Sequence, residues 1–173
     1  MKNDIQIWDY AGKILEAVGK GVLLTTKADG RVNTMIIGWG TLGIEWGKPI
    51  FTVFVRKSRY TMELLEKNPE FTVNIPLGEM DKEILAVCGT KSGRNMDKIK
   101  ELGLTPEEAK TISVPAIRQL PLTLECKVIY RQDQDPAAID SACDSRYYAK
   151  GTANEGDYHT AYYGQITAAY IVE

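Results

Sequence analysis

Val32-Asn33-Thr34-Met35-Ile36-Ile37-Gly38-Trp39-Gly40-Thr41, followed shortly by Ile50-Phe51-Thr52-Val53-Phe54-Val55-Arg56-Lys57-Ser58-Arg59-Tyr60-Thr61, reads as two apolar strands, each ending in a polar cassette. Short runs rich in Val, Ile, Thr and Phe, punctuated by glycine, are the signature of strands. Upstream, residues 21–26 form another such run. Lys27-Ala28-Asp29-Gly30 then offers an Asp-Gly turn, whose two residues tolerate positive φ, so residues 31–39 are its return strand. Residues 43–49 read as a loop. Residues 50–55 are almost wholly apolar or β-branched, which predicts a central strand.

Further out, Asp9 is placed to cap a helix carrying Ala11, Ile14, Leu15 and Val18 on one face and stopping near Gly19. A helix over 61–68 must end before Pro69. Residues 70–75 are a strand, helices are expected over 81–87 and 93–102, and Thr105-Pro106-Glu107-Glu108 has the form of a capping box. Leu122, Leu124, Cys126 and Val128 alternate with Thr123, Glu125 and Lys127, which predicts a strand with one exposed face. Residues 159–172 are a last strand, and residues 133–150 read as a long loop or an insertion in a strand. Six strands, joined by a hairpin at the start and not alternating with long helices, argue for a mainly β fold. The expected form is an antiparallel barrel with inserted helices, built as one domain over residues 1–173.

Composition narrows the partners. Hydrophobic residues make up 44% and charged residues 25%, which is ordinary for a globular chain, and a net charge of −2 offers nothing to nucleic acid or an anionic membrane. Cys88, Cys126 and Cys143 are odd in number and lack CxxC spacing, so neither a disulfide framework nor a zinc site is expected, and a cytoplasmic home fits. The chain starts without the apolar core of a signal peptide and contains no run near the roughly 20 apolar residues that span a bilayer.

Four segments carry polar groups suited to chemistry. Arg56, Lys57 and Arg59 put three cations in four residues beside Ser58 and Thr61, two candidate caps for the 61–68 helix. A helix start exposes unpaired N–H groups and partial positive charge, and arginine adds charge-assisted hydrogen bonds, so the segment suits a phosphate; an ordinary cap with surface arginines fits the same residues. Gly38 and Gly40 flank Trp39, where close backbone approach lets N–H and C=O groups read a ring edge, helped by Asn33, Thr34 and Thr41; a core indole at a barrel bend is the plainer alternative. The stretch from Cys88 to Lys98 fits neither a Walker loop nor GxGxxG. Its Ser92, Lys91, Arg94 and Lys98 make either a second anion-facing helix start or a linker with a serine cap. His159 is the single histidine: too few for a zinc site, without a serine to argue a triad, and either a satisfied imidazole or a ligand contact. Together the two cassettes could hold a flat aromatic ring at one end and a phosphate at the other, and FMN is one such ligand.

Taken in order, these segments resemble the flavin reductase-like family of FMN-binding split barrels, and most of all its flavoredoxin branch. The matching pieces are Asn33-Thr34-Met35 with Gly38-Trp39-Gly40, the run from Phe54 to Thr61, and Phe71-Thr72-Val73-Asn74-Ile75-Pro76. Further along come Cys88-Gly89 with Ser92-Gly93-Arg94 and Asp97-Lys98, Leu124-Glu125-Cys126-Lys127, and His159 with Tyr162-Tyr163-Gly164. The resemblance implies a six-stranded antiparallel split barrel, a homodimer, and FMN near the subunit interface. It places Asn33, Trp39 and the nearby backbone along the ring and ribityl chain, Ser58, Arg59 and Thr61 with Lys98 around the phosphate, and His159 beside the cofactor. It also implies an oxidoreductase that takes electrons from NAD(P)H or a redox protein. An electron carrier without a substrate of its own, and a non-catalytic flavin or haem module, are the competing readings. Two departures stand out: residues 133–150 match poorly, and many members continue past the last strand.

Overall fold

A computed structural model describes all residues 1–173. Its elements are β1 (Lys2–Asp4), α1 (Ile7–Lys20), β2 (Val22–Ala28), β3 (Arg31–Ile37), β4 (Gly40–Glu45), β5 (Lys48–Arg56), α2 (Tyr60–Lys67), β6 (Glu70–Ile75), α3 (Lys82–Thr90) and α4 (Lys98–Glu101). They continue with β7 (Pro106–Glu107), β8 (Ala116–Ile117), β9 (Leu122–Asp133), a 3₁₀ turn (Pro136–Ala138), α5 (Ser141–Tyr147) and β10 (His159–Val172). Eight strands form one antiparallel sheet in the order β3-β2-β6-β9-β10-β5-β4, with β1 also on β10. The 14-residue β10 is its spine: β9 pairs along one edge, while β5 takes residues 159–165 and β1 residues 170–172 of the other.

The connectivity forces curvature. The edge strands β3 and β4 are consecutive in the chain and joined only by Gly38 and Trp39. Three Cα steps reach at most about 11 Å, so the two edges of the sheet must come together. No ladder joins them, and the barrel is left split along that seam. Inside, Val22, Leu24, Phe51, Val53, Val55, Phe71, Val73, Leu124 and Cys126 pack into one cluster, with Ile14 and Val18 of α1 and Leu65 of α2 joining it. Gly164 is needed in β10 because a Cβ there would lie 2.4 Å from Phe71 Cζ.

The six expected strands are all present, and two more join them. β4 lies where a loop was expected, because Trp46 (φ 51°) and Gly47 (φ 68°) make a tight turn that pairs Glu45 with Lys48. Tryptophan is not a turn signal, so the sequence hides this hairpin. β1 is a short strand held by the register Lys2↔Val172 to Asp4↔Tyr170. The Asp29-Gly30 turn has both residues at positive φ, as expected.

Other expectations fail for local reasons. Asp9 does not cap α1: the helix starts two residues earlier at Ile7, after Gln6, and Asp9 sits in its first turn. Ser58 and Thr61 do not cap α2, whose N-cap is Arg59 without a side-chain bond. The 93–102 helix shrinks to the single turn of α4, because Asp97 caps at Lys100 N and the preceding residues form a Ser92 turn. The capping box at Thr105 makes no helix: Thr105 N donates to Gln119 Oε1 and Pro106–Glu107 pairs with Ala116–Ile117. β9 is not half-exposed, since Leu122 to Cys126 are buried on both faces. Its outer face is covered by the 104–120 segment, and buried Glu125 is satisfied by Lys110 N, Thr111 N and Thr111 Oγ1 at 2.6–2.7 Å.

Candidate functional site

A groove follows the seam. One end, about 520 Å³ including its mouth, is walled by Met35, Ile36 and Ile37 of β3, Gly38 and Trp39 of the link, and Phe54, Arg56, Arg59 and His159. The other end, about 530 Å³, shares Met35, Ile36 and Arg59 with the first, so the two are continuous. It adds Asn33, the start of α2 from Ser58 to Thr61, and a facing wall from Cys88, Gly89, Lys91 to Arg94, and Lys98. A larger apolar hollow lies between α1 and residues 75–85, but its charged groups are all exposed and it holds no buried titratable side chain.

The second end is strongly cationic. Arg59, Lys91, Arg94 and Lys98 line it, and no Asp or Glu does. Lys98 is only 4% exposed, and its Nζ makes one hydrogen bond, 3.2 Å to Lys91 O. Burial lowers its pKa, with neighbouring Cys88 opposing the shift and Arg59 adding to it. A buried ammonium with one neutral acceptor is poorly compensated, and a buried charge ordinarily has an opposite charge beside it. Asn33 Nδ2 donates to Thr61 Oγ1 at 3.2 Å, tying β3 to α2 at the floor of this end. Arg94 crosses between its walls, Nη1 donating to Ser58 O at 2.9 Å and Nε to Glu63 Oε1 at 3.0 Å.

The first end is aromatic. Trp39 is 39% exposed, and its ring lies 4.9 Å from Tyr147 and 5.0 Å from His159. Arg56 pins the 133–158 segment, donating to Asp157 O at 2.9 Å and Tyr147 O at 3.4 Å. His159 is buried, and desolvation, with the Arg56 charge second, lowers its pKa to about 4. Its hydrogen bonds fix the tautomer. Gln134 Oε1 accepts from His159 N at 3.0 Å and from Tyr148 Oη at 2.9 Å. The phenol has one proton and gives it to Gln134, so its oxygen accepts from Nδ1–H of His159 at 2.6 Å. Nε2 is then an unprotonated acceptor, because the ring is neutral.

Asn33, Ser58, Arg59, Thr61, Ser92 and Lys98 meet at the cationic end, and Gly38, Trp39, Arg56 and His159 at the aromatic end. Thr34 and Thr41 fall elsewhere, and Gly40 lines only a hollow adjoining the aromatic end, shared with Gly38, Trp39 and Phe54. Thr34 points to the opposite face of β3 from Asn33 and is buried, bonded to Thr25 Oγ1 and Leu24 O. Gly40 faces the core, where a Cβ would meet the Phe51 ring at 2.9 Å. Thr41 is exposed in β4, opposite Thr52, and does not line the groove. Ser58 is engaged otherwise than as a cap: Asp157 takes its N–H at 3.0 Å and its hydroxyl at 2.5 Å. Tyr148 and Gln134 are missed by sequence reasoning, since they lie in the unpatterned insertion with no spacing signal, and Asp157 is missed because a lone aspartate just before the last strand carries none. Tyr60, beside Arg59, is missed because one tyrosine at a helix start says nothing by itself.

Comparison with known proteins gives one consistent result. The structure is similar to flavoredoxin of Desulfovibrio vulgaris (Miyazaki F), with TM-score 0.67, 25% identity, and coverage of 88% of this chain and 69% of that one. It is also similar to flavoredoxin from Methanosarcina acetivorans, with TM-score 0.66, 27% identity, and coverage of 88% and 68%. An uncharacterized protein of Archaeoglobus fulgidus is 33% identical over 97 residues; that match spans 56% of this chain and about half, 54%, of the relative. The family model described as "Flavin reductase like domain" matches residues 17–173, and the chain belongs to that family.

Proposed function

We propose that this chain is an FMN-binding oxidoreductase of the flavin reductase type, working as one domain. The observation that carries the reading is Lys98, a buried cation in a cleft that also holds Arg59 and Lys91, with no carboxylate in its lining, while Arg94 is already paired with Glu63. Such a cleft calls for a small, highly charged anion, and the terminal phosphate of FMN is one. The aromatic end, continuous with it, is lined by the Trp39 indole with Met35, Ile36 and Phe54, surfaces that suit a flat ring. FMN held there would supply the redox chemistry, the capacity to accept a hydride from a donor such as NAD(P)H and to hand electrons to an acceptor.

The chain's own residues do the rest. Lys98 and Arg59 neutralise the phosphate, and Thr61 and Ser92 offer hydroxyls to it. Gly38 gives the ring edge access to backbone groups. Trp39 forms one wall, and its exposure leaves room for a second reactant. Neutral His159 presents an acceptor and adds no positive charge to the ring end. No nucleotide-binding fingerprint is needed if NAD(P)H visits the open side only briefly.

The test is the protein itself. Purified material should be yellow or should take up added FMN, and NAD(P)H should bleach its visible bands. Colourless protein that ignores added FMN would falsify the reading. Slow NAD(P)H oxidation by a fully FMN-loaded protein would instead indicate an electron carrier, the role suggested by the names of its flavoredoxin neighbours. The free thiols favour a cytoplasmic home. A homodimer is supported by an exposed aromatic cluster in which Trp46, 59% exposed, lies 6.0 Å from Tyr130 and Tyr130 lies 5.1 Å from Tyr163. Sedimentation equilibrium giving only the monomer mass at micromolar concentration removes the dimer.

A further inference from the structure

We propose that the cationic end of the groove is a blind end, closed by an Arg94 strap, so that the site accepts a terminal phosphomonoester and rejects a dinucleotide such as FAD. The inference rests on the flavin reading above and concerns which flavin the site takes.

Two walls bound this end: the start of α2 from Ser58 to Thr61, and the 88–94 segment with Lys98. Arg94 belongs to the second wall, yet its side chain is anchored to the first. Nη1 donates to Ser58 O at 2.9 Å, Nε donates to Glu63 Oε1 at 3.0 Å, and the guanidinium also makes an ion pair with Glu63. It further stacks over Tyr60, 5.7 Å from the ring centroid. A planar guanidinium bonded to a carboxylate and a carbonyl and resting on a ring spans the two walls as a crossbar. It is also the one cation here whose charge is already answered by a carboxylate, whereas Lys98 and Arg59 have none beside them.

The turn beside the strap is tightly packed against the opposite wall. A Cβ on Gly93 would lie 2.0 Å from Asn33 Oδ1 and 2.9 Å from Tyr60 Cδ1, so not even a methyl group fits there. Arg31 Nη2 donates to Gly93 O at 2.8 Å and holds the turn in that position. A chain that continued past the phosphate would have to break the strap or displace this turn. Charge points the same way. A monoester carries about −1.5 to −2 at neutral pH, while each phosphate inside a dinucleotide carries about one negative charge. The densest positive field is at the closed end, where a terminal phosphate would stop.

The experiment is fluorescence titration of flavin-free protein with FMN and FAD, for wild type, Arg94→Ala and Glu63→Ala. Wild type should bind FMN at least 100-fold more tightly than FAD. Arg94→Ala should cut that ratio at least tenfold by improving FAD binding, with FMN affinity kept within about threefold. Glu63→Ala, which frees the arginine while keeping its charge, should narrow the ratio in the same direction. A wild type that binds both flavins alike, or an Arg94→Ala whose ratio is unchanged, overturns the strap and leaves the flavin reading intact. So does an Arg94→Ala that loses FMN more than FAD, since Arg94 would then be a phosphate ligand. A wild type that binds neither flavin overturns the flavin reading, and the strap with it.

Discussion

Replacing Lys98 with Met separates stability from binding. The substitution keeps an unbranched chain of similar length and removes the ammonium, which is 4% exposed and bonded only to Lys91 O at 3.2 Å. An apolar group of similar shape in place of a poorly paired buried charge should leave the ligand-free protein as stable as before, or more stable by up to roughly 2 kcal/mol. Binding should move the other way. A charge-assisted hydrogen bond to phosphate contributes about 1.5–3 kcal/mol, so a loss near 2 kcal/mol raises the FMN Kd about 30-fold. With FMN at 100 times the wild-type Kd, ligand stabilises the wild type by about 2.7 kcal/mol. The same concentration is only about 3 times the variant's Kd and stabilises it by about 0.9 kcal/mol. For a chain of this size 1 kcal/mol moves Tm by about 2–4 °C, so FMN should raise Tm by about 5–11 °C in the wild type and about 2–4 °C in the variant. Differential scanning fluorimetry with and without FMN reads both effects in one plate. An equal FMN shift in the two proteins, or a variant that is several kcal/mol less stable without ligand, refutes the argument.

Two further outcomes follow from neighbouring residues. Arg59→Ala should weaken FMN binding by about 1.5–3 kcal/mol in calorimetry, with little change in stability because Arg59 is exposed; unaltered affinity takes Arg59 out of the site. His159, with its folded pKa lowered to about 4, makes stability fall as pH drops. Between pH 6.5 and 4 the unfolded chain takes up a proton that the folded chain refuses, which costs roughly 3 kcal/mol across the window. His159→Gln should lack that slope, so urea midpoints that fall equally in both proteins from pH 7 to pH 4.5 contradict the neutral, buried imidazole.

What the sequence could and could not reveal has physical reasons. Strands β6 and β10 and the Asp29-Gly30 hairpin were legible because apolar alternation and turn chemistry are local. The site's two cassettes were legible because their polar residues close apolar strands. The β4–β5 hairpin was hidden because its turn uses Trp46, and the 105–108 capping box misled because a long-range pairing with Ala116–Ile117 outcompeted a local helix. Thr34 was assigned to the groove because composition does not show which face of β3 a residue takes; strand alternation from Asn33 sends it to the other side. Tyr148 and Gln134, which set the tautomer of His159, come from an insertion with no periodicity. Their meeting is a product of tertiary structure alone.

The central claim is that the closed, cationic end of the seam holds a phosphate. Its most direct measurement is the affinity of flavin-free wild type for FMN against riboflavin, which differ only in that group, read by quenching of flavin fluorescence. Two charge-assisted hydrogen bonds, at about 1.5 kcal/mol or more each, predict that FMN binds at least about 100-fold more tightly. Equal affinities for the two would contradict the account.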